Sequence, residues 1–329
     1  MRKERKKTVL YQNYHSDEYL FSIDEYESWN TYLKDNGFVV IKDILEKEEY
    51  ENGLDLYWKM MTNINRDINR NDRSTWNKNN FPPTFRGICS YYGICQSDFA
   101  WYLRKNNKIQ DIFSKIHDCT KDELCTSMDA INMMYSKENY SRKLWLHEDQ
   151  AKNLVGGDIN SVQGAYNFYP VNEKDSGLLV VPKSHLNFEK RHFMRTELPK
   201  QHYCELDKNA EENKQAVKLI LPSNVFVLWN SRTLHCNADS LQDRSDDSNN
   251  IPCMNRVTNY IAMLPKKYRS EQVLEDKKKL YLSGRGSTHW ANFSHKKSFY
   301  PRYKKYPNMN ILPISLEDGH IPSSILSLL

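Results

Sequence analysis

The chain has 329 residues, of which 39% are hydrophobic and 27% charged, with a net charge of +5. That length supports one large domain or two ordinary ones with a core of normal size, and no run approaches the ~18–20 apolar residues of a membrane span. So mild a basicity argues against a dedicated nucleic-acid coat and is compatible with an anionic substrate.

Residues 1–20 open with the basic run RKERKK and no apolar segment behind it, which reads as a mobile tail and not as a signal peptide. Ser22, with Glu25 three residues on, is a candidate cap for a short helix ending at Asn36-Gly37. FVVI (38–41) reads as a buried strand, and a second amphipathic helix begins near Glu46. Residues 64–85, dense in Asn, Asp and Arg, form a long polar loop. The aromatic stretch 85–101 is explained by core packing, with Tyr91 and Tyr92 as candidate pocket-lining residues. Residues 97–118 have helical periodicity.

From about Met128 the texture changes to short β-like runs: DAINMMYS, LWLHEDQ, VQGAYNFYPV, GLLVVPKSH, VKLILPSNVFVLWN and RVTNYIAMLP. Many short strands after helices predict an antiparallel sandwich or barrel with a helical lead-in. LQDRSDDSNNIP (241–252) reads as an inserted loop. Residues 265–306 hold twelve Lys or Arg against three Asp or Glu, interleaved with aromatics. Within this extension, SGRGSTHWANF (283–293) reads either as a surface loop or as a substrate lid, with Arg285, His289 and Trp290 as candidate contacts. Seven cysteines without CxxC spacing fit neither a secreted disulfide framework nor a zinc ribbon, and point to a soluble, reduced, intracellular protein, cytoplasmic by default.

In LWLHEDQ, strand alternation projects His147 and Asp149 to one face and Glu148 to the other. By itself this is a weak pattern. His235 ends the apolar run NVFVLWNSRTLH, 86 residues after Asp149. Two histidines and one carboxylate form the facial triad that holds Fe(II) and leaves coordination positions open. Arg256, 21 residues further, opens a strand suited to burial, where a guanidinium needs an anion such as one end of a dicarboxylate cosubstrate.

These ordered elements, with NGFVVIKDIL near the start and SGLLVVPKSH between the histidines, resemble the phytanoyl-CoA dioxygenase-like branch of the Fe(II)/2-oxoglutarate-dependent oxygenases over roughly residues 25–265. The resemblance implies a double-stranded β-helix (jelly roll) over about 128–265, with N-terminal helices packed against it and a C-terminal extension from 266. It implies Fe(II) on His147, Asp149 and His235, and O2 and 2-oxoglutarate as cosubstrates. The far carboxylate of 2-oxoglutarate would lie on Arg256, with Asn237 assisting and Gln163 beside the metal or merely satisfied in the core. Arg244 is the rival for Arg256, because the gap after the second histidine is longer than the family's. Retention of Asp149, which halogenating relatives replace with a small residue, favours hydroxylation. His185 is expected to be structural. The substrate is expected to be a small molecule; the basic segment keeps an oxygenase acting on nucleic acid or a phosphate-bearing compound as one alternative, and a catalytically silent binding protein is the other. Oligomeric state is not readable.

Overall fold

A computed structural model describes residues 11–136, 144–246, 251–295 and 308–329. Two sheets face each other. The smaller has the strand order Gln12–Tyr14, Val217–Leu219, Gly177–Val180, His235–Ala238, His147–Glu148, Cys204–Glu205. The larger runs Leu20–Phe21, Phe38–Lys42, Val225–Asn230, Val162–Asn167, Arg256–Pro265, Ile131–Met134, Ile88–Cys89, with Leu124–Thr126 on the far end of Arg256–Pro265. This is the expected jelly roll, with no closed barrel.

The larger sheet is covered on both faces, which explains why FVVI and VFVLW do not alternate. Phe38, Val40, Val225, Val227 and Trp229 pack toward the smaller sheet. Val39, Ile41, Phe226 and Leu228 pack under the helices. Burial on both faces selects an unbroken apolar run. The covering helix Lys47–Ile64 has a capping box between Glu46 and Glu49 and turns Leu54, Tyr57, Trp58, Met61 and Ile64 inward. Residues 97–118 form two helices, Asp98–Arg104 and Asn107–His117, the second capped by Asn106.

The helix Tyr26–Asn36 differs from expectation at its start: Ser22 does not cap it, and instead its backbone N–H donates to the Glu25 carboxylate at 2.6 Å. Its end is as expected, with Gly37 left-handed at φ +80°. A Cβ there would also lie 2.4 Å from His185 Nδ1 and 2.5 Å from Thr233 Oγ1. Glycine is thus required twice, by conformation and by contact. The Gly37 carbonyl accepts from Thr233 Oγ1 at 2.8 Å and Asn230 N at 2.9 Å, fixing the turn that leads into His235. His185, whose Nε2 meets the Lys34 carbonyl at 2.8 Å, has the structural place expected of it.

Two boundaries need correction. Residues 11–20 are not a loose tail: Gln12–Tyr14 pairs in parallel with Val217–Leu219, and buried Tyr19 donates its hydroxyl to the carbonyls of Tyr14 and Ile220. The basic run RKERKK lies outside the described residues. The described part of the C-terminal extension is also built into the domain. Fully buried Lys277 donates to the carbonyls of Thr126 at 2.7 Å and Ala291 at 2.9 Å, and burial pushes its ammonium down to about 8. Ile325, Leu328 and Leu329 pack with Trp101 and Met128, and Thr126 N donates to the Leu328 carbonyl. The most basic and aromatic part, 296–307, lies outside the described residues. No helix among the described residues is long and apolar enough to cross a membrane.

Candidate metal centre

The register of the sheets brings the predicted residues together. His235 lies opposite both His147 and Val180, and Asn237 opposite Leu178. Leu178 and Val180 belong to the core between the sheets, so His147, His235 and Asn237 project into the same space. From the facing sheet, Gln163 projects with Ala165, and Arg256 with Thr258 and Tyr260, by the two-residue period of their strands.

His147, Asp149 and His235 are buried, and one ligand atom from each lies within 4.8 Å of the others. His147 Nε2 is 3.6 Å from Asp149 Oδ1, and His235 Nε2 is 3.3 Å from Asp149 Oδ2. The Nδ1 atoms meet backbone carbonyls, Trp145 O at 3.1 Å and Thr233 O at 2.9 Å. A carbonyl can only accept, so each Nδ1 carries a proton and each Nε2 faces the common centre, the atom a metal would take. Burial, reinforced by neighbouring His235, pushes His147 down to about 3, which keeps it neutral. Burial alone would raise Asp149, but the His289 imidazole and the hydrogen bond from His235 outweigh it and hold the carboxyl well below the usual range. Two imidazoles and a carboxylate form the donor set a divalent iron requires, and the residues fit that ion.

Gln163 donates from Nε2 to Asp149 Oδ2 at 3.0 Å, so it supports the carboxylate and is more than a satisfied core amide. The C-terminal extension reaches the centre as well. Trp290 Nε1 donates to the Asp149 carbonyl at 3.1 Å, and His289 Nε2 lies 3.3 Å from the same oxygen. Trp290→Phe keeps the ring but removes that donor. It is expected to cost about 1 kcal/mol of stability and up to about tenfold in Fe(II) affinity, read by urea unfolding and anaerobic metal titration. Unchanged values in both would separate Trp290 from the centre.

Arg256 is buried, and its hydrogen-bond partners among the described residues are neutral: Nε donates to Thr258 Oγ1 at 3.1 Å and Nη1 to Asn237 Oδ1 at 2.9 Å. Burial lowers its pKa, with Tyr260 partly opposing. Asn237 stands between the guanidinium and the cavity and also donates to the Tyr260 hydroxyl at 3.2 Å. Arg244 is elsewhere. It pairs with Asp175 at 2.7 Å and lines a separate cavity with Tyr50 and Tyr169.

The triad opens onto a cavity of about 260 Å3. Of the predicted substrate contacts only His289 lines it. Tyr91 packs against the helical core, Tyr92 is buried beside Leu312, Trp290 lies behind Asp149, and the Arg285 carbonyl accepts from Gln96. Sequence reasoning missed Trp145, stacked 4.7 Å from the His147 ring, and Tyr203, at the same separation. It also missed Tyr260 and Asp129. Alternation from Arg256 would have found Tyr260; no local signal marks Tyr203 or Asp129. Glu148 faces away from the triad as expected, yet it is fully buried against Arg191, His192 and Arg195.

No protein-family model matches the sequence. It is similar to Ava biosynthesis cluster protein O of Aspergillus versicolor, 26% identical over 272 residues that cover 78% of this chain and 83% of that one. Among solved structures, GIG2 (DUF1479) from Candida albicans matches with a TM-score of 0.54 at 13% identity, covering 80% of this chain and 70% of that one. EctD from S. alaskensis matches with a TM-score of 0.50 at 12% identity, covering 94% and 93%. At these identities the likeness is one of fold, the jelly roll described above.

Proposed function

We propose that this protein is an Fe(II)- and 2-oxoglutarate-dependent dioxygenase that hydroxylates a small organic molecule. The observation that carries the reading is the convergence of two imidazole Nε2 atoms and a carboxylate on one point of a cavity, with a buried guanidinium beyond it whose hydrogen-bond partners among the described residues are neutral. The biosynthesis-cluster name of the curated relative agrees with a small-molecule substrate.

In this reading His147, Asp149 and His235 hold the iron, which, when bound, supplies the oxidation that converts O2, 2-oxoglutarate and a substrate C–H bond to succinate, carbon dioxide and an alcohol. Arg256 binds the far carboxylate of 2-oxoglutarate, with Thr258 orienting the guanidinium and Asn237 at the boundary between it and the cavity. Gln163 orients Asp149. The Trp145 and Tyr203 rings flank His147 and exclude water from that side.

The test is anaerobic titration with Fe(II) and 2-oxoglutarate, in which a weak visible charge-transfer band is expected; its absence overturns the reading. Arg256→Met is expected to weaken 2-oxoglutarate binding on the order of 100-fold, the scale of a lost bidentate charge-assisted contact. Arg244→Met is the control, and loss of affinity in that variant instead would reassign the cosubstrate arginine.

A further inference from the structure

Arg256 has a place in the proposed chemistry but no open path to it. Its side chain is buried and does not line the cavity, whose wall on that side includes Asn237, Tyr260 and Leu178. Its Nε donates to the Thr258 hydroxyl, which passes its own hydrogen to Asn167 Oδ1 at 2.8 Å. That side of the guanidinium is therefore settled within the sheet. The other side meets Asn237.

An arginine can only donate, so chemistry orients the Asn237 amide: Oδ1 takes Arg256 Nη1 at 2.9 Å, and Nδ2 donates to the Tyr260 hydroxyl at 3.2 Å. That hydroxyl also accepts from Asn132 Nδ2 at 3.3 Å. Among the described residues its own hydrogen reaches only Asn237 Oδ1, at 3.5 Å, the long limit for a hydrogen bond. Two donors, one of them charged, thus converge on a single neutral oxygen. A carboxylate oxygen serves such a pair better, because charge on the acceptor strengthens both bonds. The backbone has no freedom to clear the way, since Asn237 lies in the strand His235–Ala238, paired with Gly177–Val180. Rotation of the Asn237 side chain is the movement that opens Arg256 to the cavity.

We propose that Asn237 sets the affinity and selectivity for the cosubstrate: its side-chain oxygen stands in for a carboxylate on Arg256, and a dicarboxylate binds by taking that place from it. The inference rests on the oxygenase reading of the same site. Binding exchanges the amide–guanidinium bond for one between two ions, and the Tyr260 hydroxyl turns its hydrogen to the same carboxylate. A 2-oxo acid with an uncharged tail has nothing to offer Arg256 in exchange, and it leaves Asn237 where it is. The amide is a threshold that only an anion crosses.

The experiment uses the full chain under nitrogen with Fe(II), and two probes of equal chain length: 2-oxoglutarate, and 2-oxopentanoate, which lacks the far carboxylate. Calorimetry reads binding without turnover. Asn237→Ala leaves the place to water and is expected to bind 2-oxoglutarate about tenfold more tightly than the wild type, the scale of one hydrogen bond to a charged group that no longer has to be broken. Its binding of 2-oxopentanoate is expected to stay at the wild-type level. Asn237→Asp carries its own carboxylate to the same donors and is expected to bind 2-oxoglutarate at least about 100-fold more weakly. A purely structural role would weaken binding in both variants. Weaker or unchanged 2-oxoglutarate binding by Asn237→Ala, an equal gain for 2-oxopentanoate, or wild-type binding by Asn237→Asp each overturn the proposal. Either variant decides alone once far-UV circular dichroism shows it folded, and Asn237→Ser replaces an Asn237→Ala protein that is not. The visible band separates the two levels: a band in the wild type without the gain in Asn237→Ala sinks this inference alone, and no band sinks the oxygenase reading together with it.

Discussion

His235→Ala is expected to lose more than about 100-fold in Fe(II) affinity and to show no 2-oxoglutarate turnover, because it removes a direct ligand where loss of an outer partner alone costs about 10–100-fold. The ring is well placed for that role. Its Nδ1 is held by the Thr233 carbonyl, the Trp229 ring lies 5.2 Å away, and its Nε2 is 3.3 Å from Asp149 Oδ2. The backbone of this strand is tied on both sides, to Gly177–Val180 and to His147, so the fold should survive the truncation. Equilibrium dialysis against Fe(II) under nitrogen, with far-UV circular dichroism on the same samples, separates loss of the site from loss of the fold. Metal retention at the wild-type level would remove His235 from the centre.

Glu148→Ala is expected to destabilise the protein by about 3–5 kcal/mol, the cost of removing one member of a buried ion cluster and leaving the others uncompensated. Glu148 has no exposed surface, and its carboxylate meets Arg191, His192 at 2.9 Å and Arg195 at 3.6 Å. The strand it sits on is only two residues long, with Cys204 and Glu205 as one set of partners and His235 on the other side. So short a strand gains little from its own ladder, and the outward ion cluster gives His147 and Asp149 a fixed backbone. Chemical denaturation of the wild type, Glu148→Ala and the double variant Glu148→Met/Arg191→Met measures this. The double variant should recover part of the loss, since an apolar pair of similar volume replaces a desolvated charge pair. A single-variant cost below about 1 kcal/mol would mean the cluster behaves as a surface ion pair does.

Most of the candidate metal site was legible in the chain. His147 and Asp149 stand two residues apart, His235 ends an apolar run, and Arg256 opens one; each sits where strand alternation points it to the interior. The same period read outward from Arg256 reaches Tyr260, and an antiparallel sandwich or barrel followed from many short strands after a helical lead-in, the jelly roll itself from the family resemblance. Glu148 shows where such reading stops. Alternation correctly turned it away from the triad, but whether that outward face meets water or the helix Phe188–Phe193 and the segment after it is not a local property.

What the sequence determined by itself is the set of facing directions: which residues of a strand share a side, where Gly37 must end a helix, and which buried charges need partners. Those follow from backbone geometry within a few residues. Only the tertiary structure decided which sides meet. It placed Gln163 on Asp149, set Arg244 against Asp175 in a separate cavity, sent Tyr91 and Tyr92 into packing, brought His289 and Trp290 from the C-terminal extension to the Asp149 carbonyl, and set Asp129 in the cavity wall. Contacts between residues far apart in the chain depend on how whole sheets and helices pack against one another, and no short stretch of sequence carries that information.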